Sequence, residues 1–234
     1  MISKASGWMK DMLHLFYPQI CAACGTDILS EQQFICIKCH LALPRTGFAY
    51  LPNNPIEKIF WGRIRTVAAH SEFYFSKEAL VQRLIHQLKY NQMPEAGFYL
   101  GELTGKSMLQ SGRFSNIDYV VPLPLFPDKE KKRGYNQAAA IGEGISKEMN
   151  IPLLNGIVNR NRHTETQTKK HRTERWENVF EGFVIKNPTT LHHKHVLLVD
   201  DVVTTGATLE ACGHAIMQLP GTQLSIATIT FASK

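Results

Sequence analysis

His195-Val-Leu-Leu-Val-Asp-Asp-Val-Val-Thr-Thr-Gly-Ala-Thr-Leu-Glu-Ala-Cys-Gly-His-Ala-Ile216 is the stretch whose reading decides the fold. Val196 to Val199 form an unbroken apolar run, the pattern of a strand buried on both faces of a parallel sheet. The run stops at Asp200 and Asp201, expected where the strand leaves the sheet, and open α/β folds bind ligands beyond the carboxyl ends of their strands. Thr204, Thr205, Gly206, Ala207 and Thr208 then supply hydroxyls, a permissive glycine and successive backbone N–H groups at the start of an expected helix. Such a turn is an anion cradle.

Two carboxylates beside a bare phosphate would repel it, so they are better read as acceptors for neutral sugar hydroxyls. The implied ligand is a ribose 5-phosphate. An ordinary strand, turn and capped helix needs only one Ser, Thr or Asp, and this stretch carries several. It resembles the 5-phosphoribosyl 1-diphosphate (PRPP) loop of the type I phosphoribosyltransferases. That resemblance implies that Asp200 and Asp201 take the 2- and 3-hydroxyls while Thr204 to Thr208 take the 5-phosphate.

Around this stretch the chain has 234 residues, 44% of them hydrophobic, which predicts one main α/β domain with a small appendage. No apolar run approaches the ~18 residues of a membrane span. The first residues, MISKASGWMKDMLHLFYP, lack the continuous apolar segment of a signal peptide, so a cytoplasmic protein is expected. The formal net charge of +6 favours anionic partners, whether phosphorylated metabolites or nucleic acid.

Four of the five cysteines fall in the first 39 residues. Cys21-Ala-Ala-Cys24 and Cys36-Ile-Lys-Cys39 are two CxxC knuckles, which place four thiolates within reach of one soft cation, usually Zn²⁺. Disulfides and an iron–sulfur cluster are the other readings, the former disfavoured in a reducing compartment. So short a module has little core, so its metal would be structural. Residues 4 to 16 show helical spacing of Trp8, Met9, Met12, Leu13 and Phe16, read as packing on the next module. Residues 1–50 are thus expected to form an N-terminal helix and zinc module, and residues 51–234 the phosphoribosyltransferase-like domain. Leu43 to Pro55, with three prolines and two asparagines, reads as the linker.

Farther along, Ile64 to Phe75 predicts a strand or hairpin, Ser76 an N-cap, and Leu80, Leu84, Ile85 and Leu88 the apolar face of a helix that Pro94 stops. Glu95 to Gln110 predicts a second helix. Its GELTGKS is not a nucleoside-triphosphate P-loop, because Gly101 and Gly105 enclose three residues where four are required. Asp118 to Leu125 reads as a strand and exit loop. The following PDKEKKRGYNQ gathers Lys129, Lys131, Lys132 and Arg133 in what is expected to be a basic loop facing a diphosphate, before a helix from Tyr135 to Met149. Ile157 to Asn159 predicts a short strand, and Arg160, Arg162, Lys169, Lys170, Arg172 and Arg175 mark a charged cover over an anionic ligand. His192, His193 and His195 lack an acidic or cysteine co-ligand and are not read as a metal site. Cys212 reads as a buried thiol, and Leu224 to Phe231 as the last strand.

The four-cysteine module, LKY, VVPLPL, KKRGYNQ, RHTETQ, RWENVFEGF and VLLVDDVVTTGATLEAC, in this order, resemble the ComF family of predicted phosphoribosyltransferases. The resemblance spans nearly the whole chain. It implies a type I phosphoribosyltransferase fold with a central, mostly parallel sheet, PRPP and Mg²⁺ as ligand and cofactor, and a role in natural transformation beside a helicase during uptake of single-stranded DNA. It assigns Lys129, Arg133, Gly134, Asn136 and Gln137 to the diphosphate side, and Arg162, Thr164, Thr166, Gln167, Arg175 and Asn178 to a hood segment. Two positions depart from the family pattern: Lys170 where leucine is usual and Phe126 where histidine is common. Two functions follow from these motifs. One is a transferase with an unassigned acceptor; the other is a PRPP-sensing or DNA- or helicase-binding module without turnover.

Overall fold

The computed structural model describes residues 20–27, 33–75, 80–160 and 182–232. The expected helix over residues 4 to 16, the Ser76 cap and the hood residues Arg162, Thr164, Thr166, Gln167, Arg175 and Asn178 lie outside them.

The centre of the fold is a four-stranded, wholly parallel sheet in the order β1, β6, β5, β2. These strands are β1 (Ala69–Tyr74), β2 (Tyr119–Pro122), β5 (His195–Val203) and β6 (Gln223–Phe231). The remaining two, β3 (Val158–Arg160) and β4 (Phe183–Ile185), pair antiparallel as a separate ribbon. Apolar residues of β5 alternate between two cores: Leu197 and Val199 join Leu84, Leu88, Leu100 and Ile141 on one face, while Val196 and Leu198 join Ile56, Phe60, Leu209 and Ile216 on the other. A strand covered on both faces needs no polar side, which is why its sequence is an apolar run.

The first face is covered by α3 (Leu80–Tyr90), α4 (Pro94–Ser111) and α6 (Gln137–Met149). Helix α3 ends at Tyr90, and Pro94 opens α4 rather than stopping α3, because a proline in the first turn gives up an N–H that has no helical partner. The glycines of GFYLGELTGKS have a packing reason. A Cβ on Gly101 would lie 2.2 Å from the Ile141 carbonyl oxygen, and one on Gly144 would lie 2.1 Å from that of Phe98. Helices α4 and α6 therefore cross with their backbones in contact, which no side chain at either position would permit.

The second face is covered by α2 (Pro55–Phe60) and α7 (Ala207–Met217). Asn54 caps α2 by accepting from the backbone N–H groups of Ile56 (2.9 Å) and Glu57 (3.2 Å). The segment read as a linker is not free. Thr46 donates its N–H to Glu72 and Tyr74 donates to Pro44 (2.9 and 3.0 Å), with Phe48 and Ala49 buried. It lies along β1, whose other neighbour is β6, and satisfies an edge that would otherwise be open.

The four-cysteine module includes α1 (Ile37–Leu41), which starts directly after Cys36. Its buried side chains Cys21, Ala23, Ile35 and Cys39 belong to the same apolar cluster as Val81, Leu84 and Leu88 of α3.

Candidate functional site

The site forms where β5 runs out. The strand extends past the carboxylates to Val203, beyond the expected exit at Asp200, because Val202 and Val203 still pair with Thr230 and Phe231 of β6. Asp201 is buried, 9% exposed, and Asp200 half-buried. Asp201 follows Val199 at the strand's two-residue period and meets α3: its Oδ2 lies 2.8 Å from Lys89 Nζ. Asp200 accepts from the Asp201 backbone N–H at 2.8 Å.

Asp200 is pushed up to about 8, first by burial and next by the charge of Asp201 beside it; the Asp201 N–H, Lys89 and Arg133 pull the other way. A half-buried carboxylate next to another is ready to exchange its proton for a cation or a hydroxyl donor. Arg160, which ends β3, is held below its ordinary value by burial, with Cys212 and Asp200 opposing. Its guanidinium lies 3.7 Å from the Phe126 ring centroid and 5.1 Å from that of Phe183. Three cations, Lys89, Arg133 and Arg160, thus act electrostatically on Asp200 or Asp201.

After Val203 the chain bends through the exposed Thr204 and Thr205, and α7 begins at Ala207. Gly206 precedes it at φ 74°, and an added Cβ would come within 2.8 Å of Ile59 and 2.9 Å of Phe60. Both the left-handed backbone and the contact with α2 require glycine here. Gly206 offers no capping side chain, so the first N–H groups of α7 face outward without a helical partner. Ala207 is exposed and Thr208 half-buried. Arg63 fixes the turn from below, donating to the Thr205 carbonyl at 2.7 Å and pairing with Glu210.

The basic segment behaves differently from the expected loop. Residues Pro127–Arg133 form helix α5, with proline at its start, acidic side chains in the first turn, lysines and arginine in the last, and Gly134 closing it at φ 81°. That order of charge suits a helix and explains the departure. Lys129, Lys131 and Lys132 are exposed. Asn136 and Gln137 are buried: Asn136 caps α6 through Ala138 (3.0 Å) and donates to Leu123 (3.0 Å), while Gln137 accepts from Arg133 at 2.6 Å. Gln137 thus braces Arg133, and Asn136 the start of α6.

Arg160 is the one residue of the expected charged cover that lies among the described residues, whereas no sequence pattern assigns Lys89 or Arg63 to this site. Lys89 stood in the quoted LKY, but its pairing with Asp201 joins residues far apart in the chain, and no spacing rule reaches that far.

A second cluster lies in the N-terminal module. The sulfurs of Cys21, Cys24, Cys36 and Cys39 all fall within 4.8 Å of one another, and Cys24 and Cys36 are 3.8 Å apart. A tetrahedral site with sulfur at about 2.3 Å from Zn²⁺ requires sulfurs roughly 3.8 Å apart, so the set fits. The thiols are unlike as they stand: the Thr26 hydroxyl and N–H pull Cys24 down to about 6, whereas burial and the neighbouring sulfurs push Cys39 up. A dication would stabilise all four as thiolates. Cys21 also accepts from the Cys36 N–H at 3.2 Å, a contact that orients a thiolate. No helix among the described residues is long and apolar enough to cross a membrane.

A strand ending in paired carboxylates, a glycine turn and an uncapped helix define a phosphoribosyltransferase-type domain, and residues 136–234 match the family described as phosphoribosyl transferase domain. The chain is 39% identical over 103 residues to Competence protein F of Haemophilus influenzae, covering 43% of this chain and 44% of that protein. Over 217 residues it is 28% identical to the DNA utilization protein YhgH of Escherichia coli, covering 90% of each. Over 113 residues it is 32% identical to Competence protein ComFC of Bacillus subtilis, covering 47% of this chain and 42% of that one. The matched stretches span less than half the length of the two competence proteins. The chain is thus similar to competence and DNA utilization proteins, and its residues 136–234 match the phosphoribosyl transferase domain.

Proposed function

We propose that this protein binds PRPP with Mg²⁺ and transfers its ribose 5-phosphate to an acceptor, in the service of DNA uptake or use. The observation that carries the reading is the meeting, at the end of β5, of Asp200 and Asp201 with the Gly206 turn and the uncapped start of α7. The N–H groups of Ala207 and Thr208, with the hydroxyls of Thr204, Thr205 and Thr208, receive the 5-phosphate. Asp200 and Asp201 accept hydrogen bonds from the sugar hydroxyls. Arg133, braced by Gln137, lies on the diphosphate side with Lys129 and the rest of α5.

Paired carboxylates beside an anion site fit Mg²⁺, which is commonly held by one or two carboxylates together with substrate phosphates. Bound with the diphosphate, Mg²⁺ neutralises charge on the leaving group. In the transfer the bond from ribose C1 to the diphosphate oxygen breaks, the acceptor's lone pair forms the new bond to C1, and the acceptor's proton leaves to solvent. Stabilising the departing diphosphate and orienting the sugar are the protein's contributions, and no protein nucleophile is required. The family resemblance adds Arg162 and Gln167, which lie outside the described residues, as ligand-binding residues in this reading.

Zn²⁺ at Cys21, Cys24, Cys36 and Cys39 is structural, since four thiolates leave no open position. Four cysteines held together for a metal suit the reducing cytoplasm, where we place the protein. The names of the relatives, competence and DNA utilization, support a role in the uptake or use of DNA; single-stranded DNA and a helicase are the partners that the family resemblance suggests. Diphosphate release is to be measured with PRPP and Mg²⁺ across bases, amines and single-stranded DNA, for the wild type and an Asp200→Asn, Asp201→Asn variant. Acceptor-dependent release that the variant loses supports a transferase. Binding without release leaves a PRPP-responsive module instead, and absence of binding overturns the reading.

A further inference from the structure

Lys89 is the last residue but one of α3, and its ammonium contacts Asp201 Oδ2 at 2.8 Å while its side chain remains 21% exposed. An ion pair this close to solvent contributes little to stability. The pairing is better understood from the ligand's side. The 5-phosphate at the start of α7 lies at one end of the ribose, and the carboxylates hold the hydroxyls in the middle. The anionic group on C1 then lies beside the 2-hydroxyl, on the side of the carboxylates away from the cradle. Lys89 belongs to α3 and approaches Asp201 from the opposite face of the sheet to α7.

We propose that Lys89 binds the anionic group on ribose C1, so that the site prefers PRPP over ribose 5-phosphate, and that the four-cysteine module holds Lys89 in place through α3. An ammonium has three donors. One is kept on Asp201 and the others are free for a diphosphate oxygen. The same helix is anchored to the metal module: Arg83 donates to the Ala23 carbonyl at 3.2 Å and Gln87 donates to that of Ala22. Ala22 and Ala23 are the two residues between Cys21 and Cys24. On the other side the Tyr135 hydroxyl donates to the Leu88 carbonyl. The last turn of α3 is thus clamped between the first knuckle and the residue that follows Gly134.

The proposal rests on the PRPP reading and is tested by titration calorimetry of the full chain with PRPP and, separately, ribose 5-phosphate, both with Mg²⁺. Loss of one charge-assisted contact predicts a roughly 10- to 100-fold weaker affinity of Lys89→Met for PRPP, while ribose 5-phosphate, which shares only the Asp201 side of the pair, weakens by a clearly smaller factor, so that the preference for PRPP falls. Lys89→Arg is expected to restore much of the preference. Equal weakening for both ligands would make Lys89 a mere partner of Asp201 and overturn the proposal, as would no weakening at all. A wild type that binds neither ligand defeats the PRPP reading itself, a separate outcome. For the tether, an Arg83→Ala, Gln87→Ala variant that melts as a folded protein is expected to lose part of the preference for PRPP, and an undiminished preference overturns that half.

Discussion

The end of β5 and the four-cysteine module are held together by different physics. At the sheet end, chemistry-bearing residues stand on a strand whose apolar neighbours are completely buried: Val196, Leu197, Leu198 and Val199 are all at 0% exposure. In the module two of the four residues that would bind the metal, Cys21 and Cys39, are themselves among its few buried side chains, beside Ala23 and Ile35. The sheet therefore positions its site before any ligand arrives, whereas the module depends on its ligand for much of its stability. Helix α3 touches both regions, with Lys89 on one side and Arg83 and Gln87 on the other.

The sharpest way to separate the two is to remove the metal. A structural Zn²⁺ site contributes roughly 10 kcal/mol, so a chelator or Cys39→Ser is expected to unfold the module while the parallel sheet persists. Loss of one mole of zinc with retained strand signal in circular dichroism supports this; cooperative loss of both would show that the module and sheet fold as one unit. The next largest effect is expected inside the sheet layer. Gly144→Leu forces α4 and α6 apart and should cost about 3 kcal/mol or more by overpacking, read in urea melts, without altering zinc content.

Gly206→Val acts on the site rather than on the fold. It strains the left-handed turn and clashes with Ile59 and Phe60. Affinity for a ribose 5-phosphate ligand is expected to fall at least about 10-fold, the equivalent of one lost hydrogen bond. Calorimetry should show this while zinc content stays constant. A smaller effect is set by pH. Because Asp200 titrates higher folded than unfolded, its stabilising contribution is complete below the unfolded carboxylate range and is lost as pH rises through about 8. Wild type should therefore lose more Tm between pH 6 and 9 than Asp200→Asn does, and ligand binding, which uses the ionised carboxylate, should tighten over the same interval. The weakest effect is expected at the exposed Lys147–Glu102 pair, where Lys147→Ala should change stability by under about 1 kcal/mol.

What the sequence made legible follows the range over which its signals act. The apolar run from Val196, the glycine at 206 and the two CxxC knuckles are local patterns with local causes, and the structure places each in the element expected. In the basic segment the charge is more conspicuous than its order, yet Pro127 first and Gly134 last describe a helix with its acids and bases already sorted. The prolines of Leu43 to Pro55 suggest a linker, yet its backbone pairs with β1. Edge pairing of that kind joins Thr46 to Glu72 and Pro44 to Tyr74, too far apart in the chain for turn chemistry to reveal. Gly101 and Gly144 show the same limit. Their need for glycine comes from a helix crossing that exists only after folding.

The central claim is that the end of β5 and the start of α7 form a PRPP site. Titration calorimetry of the zinc-loaded protein with PRPP and Mg²⁺, for the wild type and for Asp200→Asn, Asp201→Asn, tests it most directly. Saturable one-to-one binding by the wild type that the variant loses, with both proteins melting cooperatively, is the predicted result. Equal binding by the two, or none by a folded wild type, would contradict it.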